Sequence, residues 1–414
     1  MYKSFNFLKK LYFVRTGGSK EELTAAHLIQ EECEKLGVTT ELEEFDVDGY
    51  EIEKANLKFL DPDFEVECVG VGMSSSTSDE GITGDFIYIT SLEDAKIQDV
   101  ENKICLIHSK LVNYKLYKEL VKKKAKGLVL CCGDVYKNNK DVDLDPYMYR
   151  VRHYENGKIP AVCIRMKDAE KVLKQKPKKA SFVLKQTEKK NPSHNVVATI
   201  QGTTKPDEVI AFTAHYDSVS FSKGAYDNAT GAVALLQILE YYLKNKPART
   251  LKFIWCGSEE MGLLGSKAYV SMYEDELSNY KLCINIDMLG ATLGYDIACA
   301  TTQMSFVNYL QYTSKELGFP LVTSQGVYSS DSTSFADRDV PAVSFARAAP
   351  RGGATIHSRD DALDHLSEEN YYNSCNFIIK FSNRLINSIS FPVEEGIPDN
   401  MKDELDKYLG RKEK

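Results

Sequence analysis

Two short apolar runs, residues 209–214 (VIAFTA) and 251–256 (LKFIWC), carry β-branched and aromatic residues with almost no polar interruption. Continuous rather than alternating hydrophobicity predicts strands buried on both faces of a parallel sheet. Between them, residues 228–243 place apolar side chains at helical spacing. The stretch 209–266 therefore reads strand, loop, helix, strand, loop, helix. An open α/β sheet of this kind presents its functional groups just outside the carboxyl ends of its strands. Upstream, residues 20–36 predict a helix with Ser19 as N-cap, Glu22 at the capping-box position and Gly37 as the stop. The alternating segments VTTELEEFDV and YEIEKANLKFL follow as strands. Downstream, HNVVATIQG and residues 341–346 (PAVSFA) predict further strands, and 303–317 and 368–389 predict helices. The charged tail from residue 399 predicts a terminal helix with a frayed end. No repeat of solenoid period is present.

At 414 residues the chain exceeds the usual size of one core, so two domains are expected. The text changes near residues 58–62 and returns to the earlier style after Asn191. This gives a first domain in two pieces, 1–60 and 191–414, around an insert at 61–190. Hydrophobic content of 43% and charged content of 27% are those of an ordinary globular protein. A net charge of −8 argues against a nucleic-acid surface, which would be basic. No apolar run approaches the roughly 20 residues that span a bilayer, so no membrane partner is expected. The first residues, MYKSFNFLKKLYFVRTGG, are basic and aromatic, but Lys9 and Lys10 break the run and no small-residue cleavage site follows. A short amphipathic helix fits better than a signal peptide. Ten cysteines, most within apolar strands (Cys105, Cys256, Cys283), read as small buried hydrophobes in a reducing, cytoplasmic compartment.

Acid and imidazole groups gather at the predicted strand ends. His215 and Asp217 close the first strand, Asp227 follows a Ser/Gly-containing loop, and Glu259 and Glu260 close the second strand. Asp287 ends another strand in CINIDMLG, and His357 lies in GGATIHSRDD. Adjacent carboxylates repel unless a cation separates their roles. One of the Glu259–Glu260 pair is then expected to bind metal and the other to move protons. Each residue also has a plainer role: Asp227 could N-cap the next helix, and the glutamates could complement a helix dipole. His27, inside the first helix, is expected to be surface or packing.

The blocks HYDS, DNATG, SEEMGLLGS, NIDMLG and IHSRDD, in this order, resemble those of the co-catalytic two-zinc aminopeptidases. That family includes bacterial leucyl aminopeptidases, glutamate carboxypeptidase-like enzymes and the transferrin-receptor ectodomain. The resemblance covers residues 1–57 and 192–390. It implies the zinc-exopeptidase fold, a mixed, mostly parallel central sheet with helices on both faces. Carried over position by position, one Zn²⁺ takes His215, Asp227 and Asp287. The second takes Asp227, Glu260 and His357, so Asp227 bridges two Zn²⁺ per chain. Glu259 is then the general base and acid, and Asp217 hydrogen-bonds the free nitrogen of His215, fixing its tautomer. The insert resembles a protease-associated domain through GITGDFIYI, VENKICLI, KKKAKGLVL and KIPAVCIRM. It implies a β-rich module that walls the cleft and limits substrate size.

Some positions depart from the family pattern. The residue before the late histidine is commonly Tyr and here is Ile356, leaving Tyr328 as the candidate oxyanion stabiliser. A block usually carrying SDH has Ser332 at its third position, beside Asp331. Arg347, Arg351 and Arg359 flank His357 and could touch substrate. The resulting expectation is a zinc-dependent aminopeptidase acting on peptides, a monomer or small homo-oligomer. The alternatives are a carboxypeptidase on the same scaffold, a non-catalytic receptor-like protein, or a single-zinc aminoacyl cyclase of related fold.

Overall fold

The computed structural model describes residues 3–145 and 147–412. Within it the chain forms two compact units, Met1–Val47 with Pro192–Lys414, and Asp48–Asn191. Both boundaries fall inside long strands, Thr40–Leu60 and Lys179–Ile200. Extended backbone continues through each boundary, so the first division comes at Asp48, earlier than the change of composition near residue 61.

Among the described residues, the main sheet path of the larger unit takes seven strands: β1 (Lys179–Ile200, of which residues 192–200 belong here), β2 (Lys205–His215), β3 (Arg249–Cys256), β4 (Tyr280–Ile286), β5 (Tyr295–Thr301), β6 (Leu321–Gln325) and β7 (Ala342–Ala348). Their order is β6-β5-β7-β4-β2-β3-β1. β2 pairs in parallel with β3 and β4, and β4 with β7. β5 pairs in parallel with β6 and antiparallel with β7, and β1 runs antiparallel to β3. The sheet is mixed and mostly parallel, as the continuous apolar runs require.

Side chains of one strand alternate between two cores. Ile210, Phe212 and Ala214 of β2, with Leu251, Phe253 and Trp255 of β3, face one apolar cluster. It is completed by helices α1 (Lys20–Lys35), α2 (Thr230–Lys244), α4 (Met304–Glu316) and α5 (Glu368–Ile386). Ala211, Ile254 and Cys256 face the other cluster, covered by α3 (Leu264–Met272), the short helix Ser332–Ala336 and α6 (Asp399–Tyr408). Helices thus cover both faces. The fully buried Trp255 donates its indole N–H to the Ala232 carbonyl at 2.7 Å, fixing α2 across β3. Near the N-terminus, Ser4–Lys10 form a 3₁₀ helix with Phe7 and Leu8 buried.

At the start of α1, Ser19 Oγ accepts the Glu22 N–H at 3.0 Å. Ser19→Ala should therefore cost about 1 kcal/mol, read as a lower denaturation midpoint. The Glu22 side chain does not complete the capping box on Ser19. It accepts from Gly18 N at 2.7 Å and reaches Ser258 instead. His27 is exposed and meets Gln30.

The smaller unit carries four strands in parallel register, Ile82–Ile89, Ile104–Ile107, Gly127–Cys132 and Ala161–Arg165. Alternate residues again serve two cores. Cys105, Ile107, Leu128 and Leu130 pack with Tyr117 and Leu120. Ile104, Leu106, Val129 and Cys131 pack with Ala169 and Val172. All ten cysteines are free, eight of them buried. No helix among the described residues is long and apolar enough to cross a membrane.

Candidate metal centre

The five expected ligands come together at the carboxyl ends of the sheet. His215 is the last residue of β2 and Asp287 follows β4 directly, with its N–H donated to Phe345 O at 2.9 Å. Asp227 leaves a short irregular turn at the foot of α2, with non-helical backbone at Asp227 and Asn228. Asn228 secures this turn. Its Nδ2 donates to Ile286 O at 3.0 Å, and its Oδ1 accepts from Gly231 N at 2.9 Å and Met288 N at 3.0 Å. A Cβ at position 231 would collide with the Ile286 carbonyl and the Asn228 side chain, which explains the glycine of DNATG. Glu259 and Glu260 follow β3, and His357 sits in a turn-rich segment between β7 and α5.

The side chains form two sets sharing one carboxylate. His215 Nε2 lies 3.2 Å from Asp227 Oδ1 and 3.6 Å from Asp287 Oδ1. His357 Nε2 lies 3.2 Å from Asp227 Oδ2 and 3.1 Å from Glu260 Oε2. Among the described residues, His215, Asp227 and Asp287 form one group able to surround an ion, and Asp227, Glu260 and His357 form another. Asp227 gives one oxygen to each.

Asp217 is fully buried and does more than meet the imidazole. Its Oδ1 lies 3.2 Å from His215 Nδ1 and accepts the Glu259 N–H at 3.0 Å, while its Oδ2 accepts the Glu260 N–H at 3.1 Å. One carboxylate thus orients the histidine and both glutamates. Glu22 supports the same turn, its Oε1 accepting from Ser258 N at 2.7 Å and Ser258 Oγ at 3.0 Å. Burial, reinforced by Asp217, pushes the Glu22 carboxyl up to about 8.

The electrostatics show an excess of buried negative charge. Burial raises Glu259 well above the usual carboxylate range, and burial with Asp227 raises Glu260 to about 7. Burial alone would depress both imidazoles. The surrounding carboxylates outweigh it, holding His215 well above its ordinary value and His357 at about 10. Burial opposes ionisation of Asp227, but His215 and His357 together hold it low. Glu260 Oε1 and Asp287 Oδ1 are buried with no hydrogen-bond partner among the described residues. Leaving a buried carboxylate oxygen unpaired is costly. Imidazole nitrogen and carboxylate oxygen are the donors Zn²⁺ prefers, so the residues present fit two such ions.

Other candidates fall differently. Arg347 is occupied within the fold, its Nη1 donating to Asp296 Oδ2 at 2.6 Å and its Nε to Ala291 O at 2.7 Å. Arg351 and Ile356 are exposed. Tyr328 is near the centre, its phenol raised by burial and then by Asp287, Tyr226 and Asp227. Asp331 is fully buried, and neither of its oxygens has a partner among the described residues. Two buried groups beside the site escaped the sequence reading, Arg15 and Asp361. Arg15 Nη1 and Nη2 donate to Lys223 O at 2.6 Å and Gly224 O at 2.8 Å, and its Nε donates to Tyr216 O. Asp361 accepts the Tyr226 and Asp227 N–H groups.

A cluster of acids and imidazoles on the strand ends of an open α/β sheet defines a metallopeptidase of the zinc-exopeptidase class. Residues 195–382 match the family described as Peptidase family M28. The aminopeptidase YwaD of Bacillus subtilis (strain 168) is 27% identical over 384 residues, covering 89% of this chain and 80% of that protein. Carboxypeptidase Q of Bos taurus is also 27% identical, over 66% of this chain and 61% of its own length. Among solved structures, the zinc aminopeptidase BSAP from Bacillus subtilis superposes with a TM-score of 0.77 at 23% identity, covering 96% of this chain and 98% of that one. The aminopeptidase from Aneurinibacillus sp. strain AM-1 gives 0.74 at 24% identity, covering 95% of each chain. At these identities the two structures establish the fold.

Proposed function

We propose that the protein is a zinc aminopeptidase that releases N-terminal residues from peptides. Two Zn²⁺ would be held per chain, one by His215, Asp227 and Asp287, the other by Asp227, Glu260 and His357. The observation that carries this reading is the shared Asp227 carboxylate, one oxygen toward each imidazole. When bound, zinc supplies Lewis-acid polarisation of the scissile carbonyl and a water of lowered pKa. The Glu259 carboxylate takes the proton of the attacking water and returns it to the leaving amine. Asp217 keeps His215 in one tautomer and holds the main chain of both glutamates in place. Tyr328, in this reading, offers its hydroxyl to the developing oxyanion, the role that Ile356 cannot fill. The similarity to YwaD over most of both chains supports the amino end of the peptide as the point of attack. The similarity to carboxypeptidase Q keeps the carboxyl end as the second reading.

Within this proposal the unit Asp48–Asn191 is a protease-associated insert and the enzyme works in the cytoplasm. The test of the metal reading is direct metal analysis. Protein dialysed against excess zinc should hold about two Zn²⁺ per chain, and Glu260→Gln should lower the affinity for one. A chain that binds no divalent metal overturns the proposal.

A further inference from the structure

The two ligand sets rest on elements of unequal stiffness. His215 and Asp287 are placed by buried strands, and Glu260 by the grip of Asp217 on its N–H. His357 has neither a strand nor the Asp217 contact behind it. It lies in a segment without helix or strand, has a φ of 56°, and its side chain is 48% exposed. Asp361, four positions further on and 1% exposed, ties this segment to the site. Its Oδ1 accepts the Tyr226 N–H at 2.7 Å and its Oδ2 accepts the Asp227 N–H at 3.1 Å. The loop that carries His357 is thereby bonded to the backbone of the residue that His357 must face. Arg15 grips the same run from its carbonyl side, at Tyr216, Lys223 and Gly224. With both oxygens engaged, the Asp361 carboxylate has one orientation.

We propose that Asp361 is a positioning residue for the second metal set. By binding the Tyr226 and Asp227 N–H groups, it fixes where the His357 loop stands relative to the shared carboxylate. This sets the affinity of the Asp227/Glu260/His357 group more than that of the His215/Asp227/Asp287 group, because Asn228 holds the Asp227 turn independently while the His357 loop depends on Asp361. The inference rests on the two-ion reading and assigns unequal supports to its two halves. Ligand sets must be held to about half an ångström, and loss of an outer hydrogen-bond partner typically costs 10–100-fold in metal affinity.

The variant Asp361→Asn keeps the side-chain shape but has one acceptor oxygen, so its NH₂ group must face a backbone N–H, donor against donor. Zinc titration of the metal-free chain by calorimetry should show the second ion binding about 10–100-fold more weakly, with the first ion weakened much less. Asp364→Asn, an exposed control in the 3₁₀ turn Leu363–His365 just beyond the loop, should titrate like the parent. Asp361→Ser, which keeps a single acceptor, serves where Asn does not fold, and should show the same selective loss. Hydrogen exchange of the metal-free parent gives an independent reading: the Tyr226 and Asp227 amides should be protected, and should exchange faster in the variants. Equal weakening of both ions, an unchanged titration, or unprotected amides at 226 and 227 in the folded parent would each overturn the proposal. A parent chain that takes up fewer than two ions overturns the two-ion reading itself, before any variant is compared.

Discussion

Replacing Glu259 by Gln should lower kcat by roughly 100-fold or more, while the protein keeps its metal. The two adjacent glutamates have different surroundings. Glu260 Oε2 lies 3.1 Å from His357 Nε2 and belongs to a ligand set. Glu259 belongs to neither set, and no hydrogen bond to its carboxylate is found among the described residues. Its main chain, by contrast, is held by Asp217. A base with a fixed stem and an unengaged carboxylate is suited to proton transfer. Gln preserves size and polarity and removes only the ability to accept and return a proton. Glu260→Gln should behave differently, because an amide in place of a ligating carboxylate removes a charge from the second set. Steady-state kinetics on an aminoacyl substrate, with metal analysis of the same preparations, separates the two. Wild-type kcat in metal-replete Glu259→Gln would show that the proton passes elsewhere.

The strand ends were legible because burial on both faces leaves a continuous apolar run whose last residue is easy to find. His215 and Asp287 could be placed at such ends before any geometry was known, and the structure has them there, while Glu259 lies three residues past the end of its strand at Cys256. The groups that hold the site together were less legible. Arg15, Glu22 and Asp361 act mainly on backbone N–H and C=O groups. A backbone partner has no residue type, so it leaves no pattern at the other end of the contact. Arg15 was absorbed into a basic, aromatic opening segment, and Glu22 into a capping box whose second half the structure does not make. Asp361 stood inside the quoted IHSRDD block and still carried no role, because nothing in the text says that its partners lie at residues 226 and 227. The arginines near His357 show the converse. Proximity in sequence suggested substrate contact, yet Arg347 spends its guanidinium on Asp296 and Ala291.

That commitment of Arg347 bears on which end of a peptide is cut. Acetylating the N-terminus of a good peptide substrate should reduce kcat/KM by about 100-fold or more, whereas amidating its C-terminus should change little. An aminopeptidase must recognise a free ammonium beside the scissile bond, and this centre gathers acids, with Asp227, Glu260 and Asp287 in the ligand sets, Glu259 next to Glu260, and Asp331 fully buried. Removing a charge that such groups are arranged to meet leaves buried carboxylates unpaired, at a cost of a few kcal/mol. A carboxypeptidase needs the opposite, a fixed cation for the terminal carboxylate. Arg347 is already paired with Asp296 at 2.6 Å, and Arg351 stands exposed in a glycine-containing turn. Neither is a preorganised carboxylate clamp of the kind a bidentate arginine makes. The comparison requires three peptides of one sequence, free, acetylated and amidated, assayed under the same metal-replete conditions. If amidation blocks cleavage and acetylation does not, the enzyme attacks the carboxyl end, and Arg351 becomes the first residue to substitute.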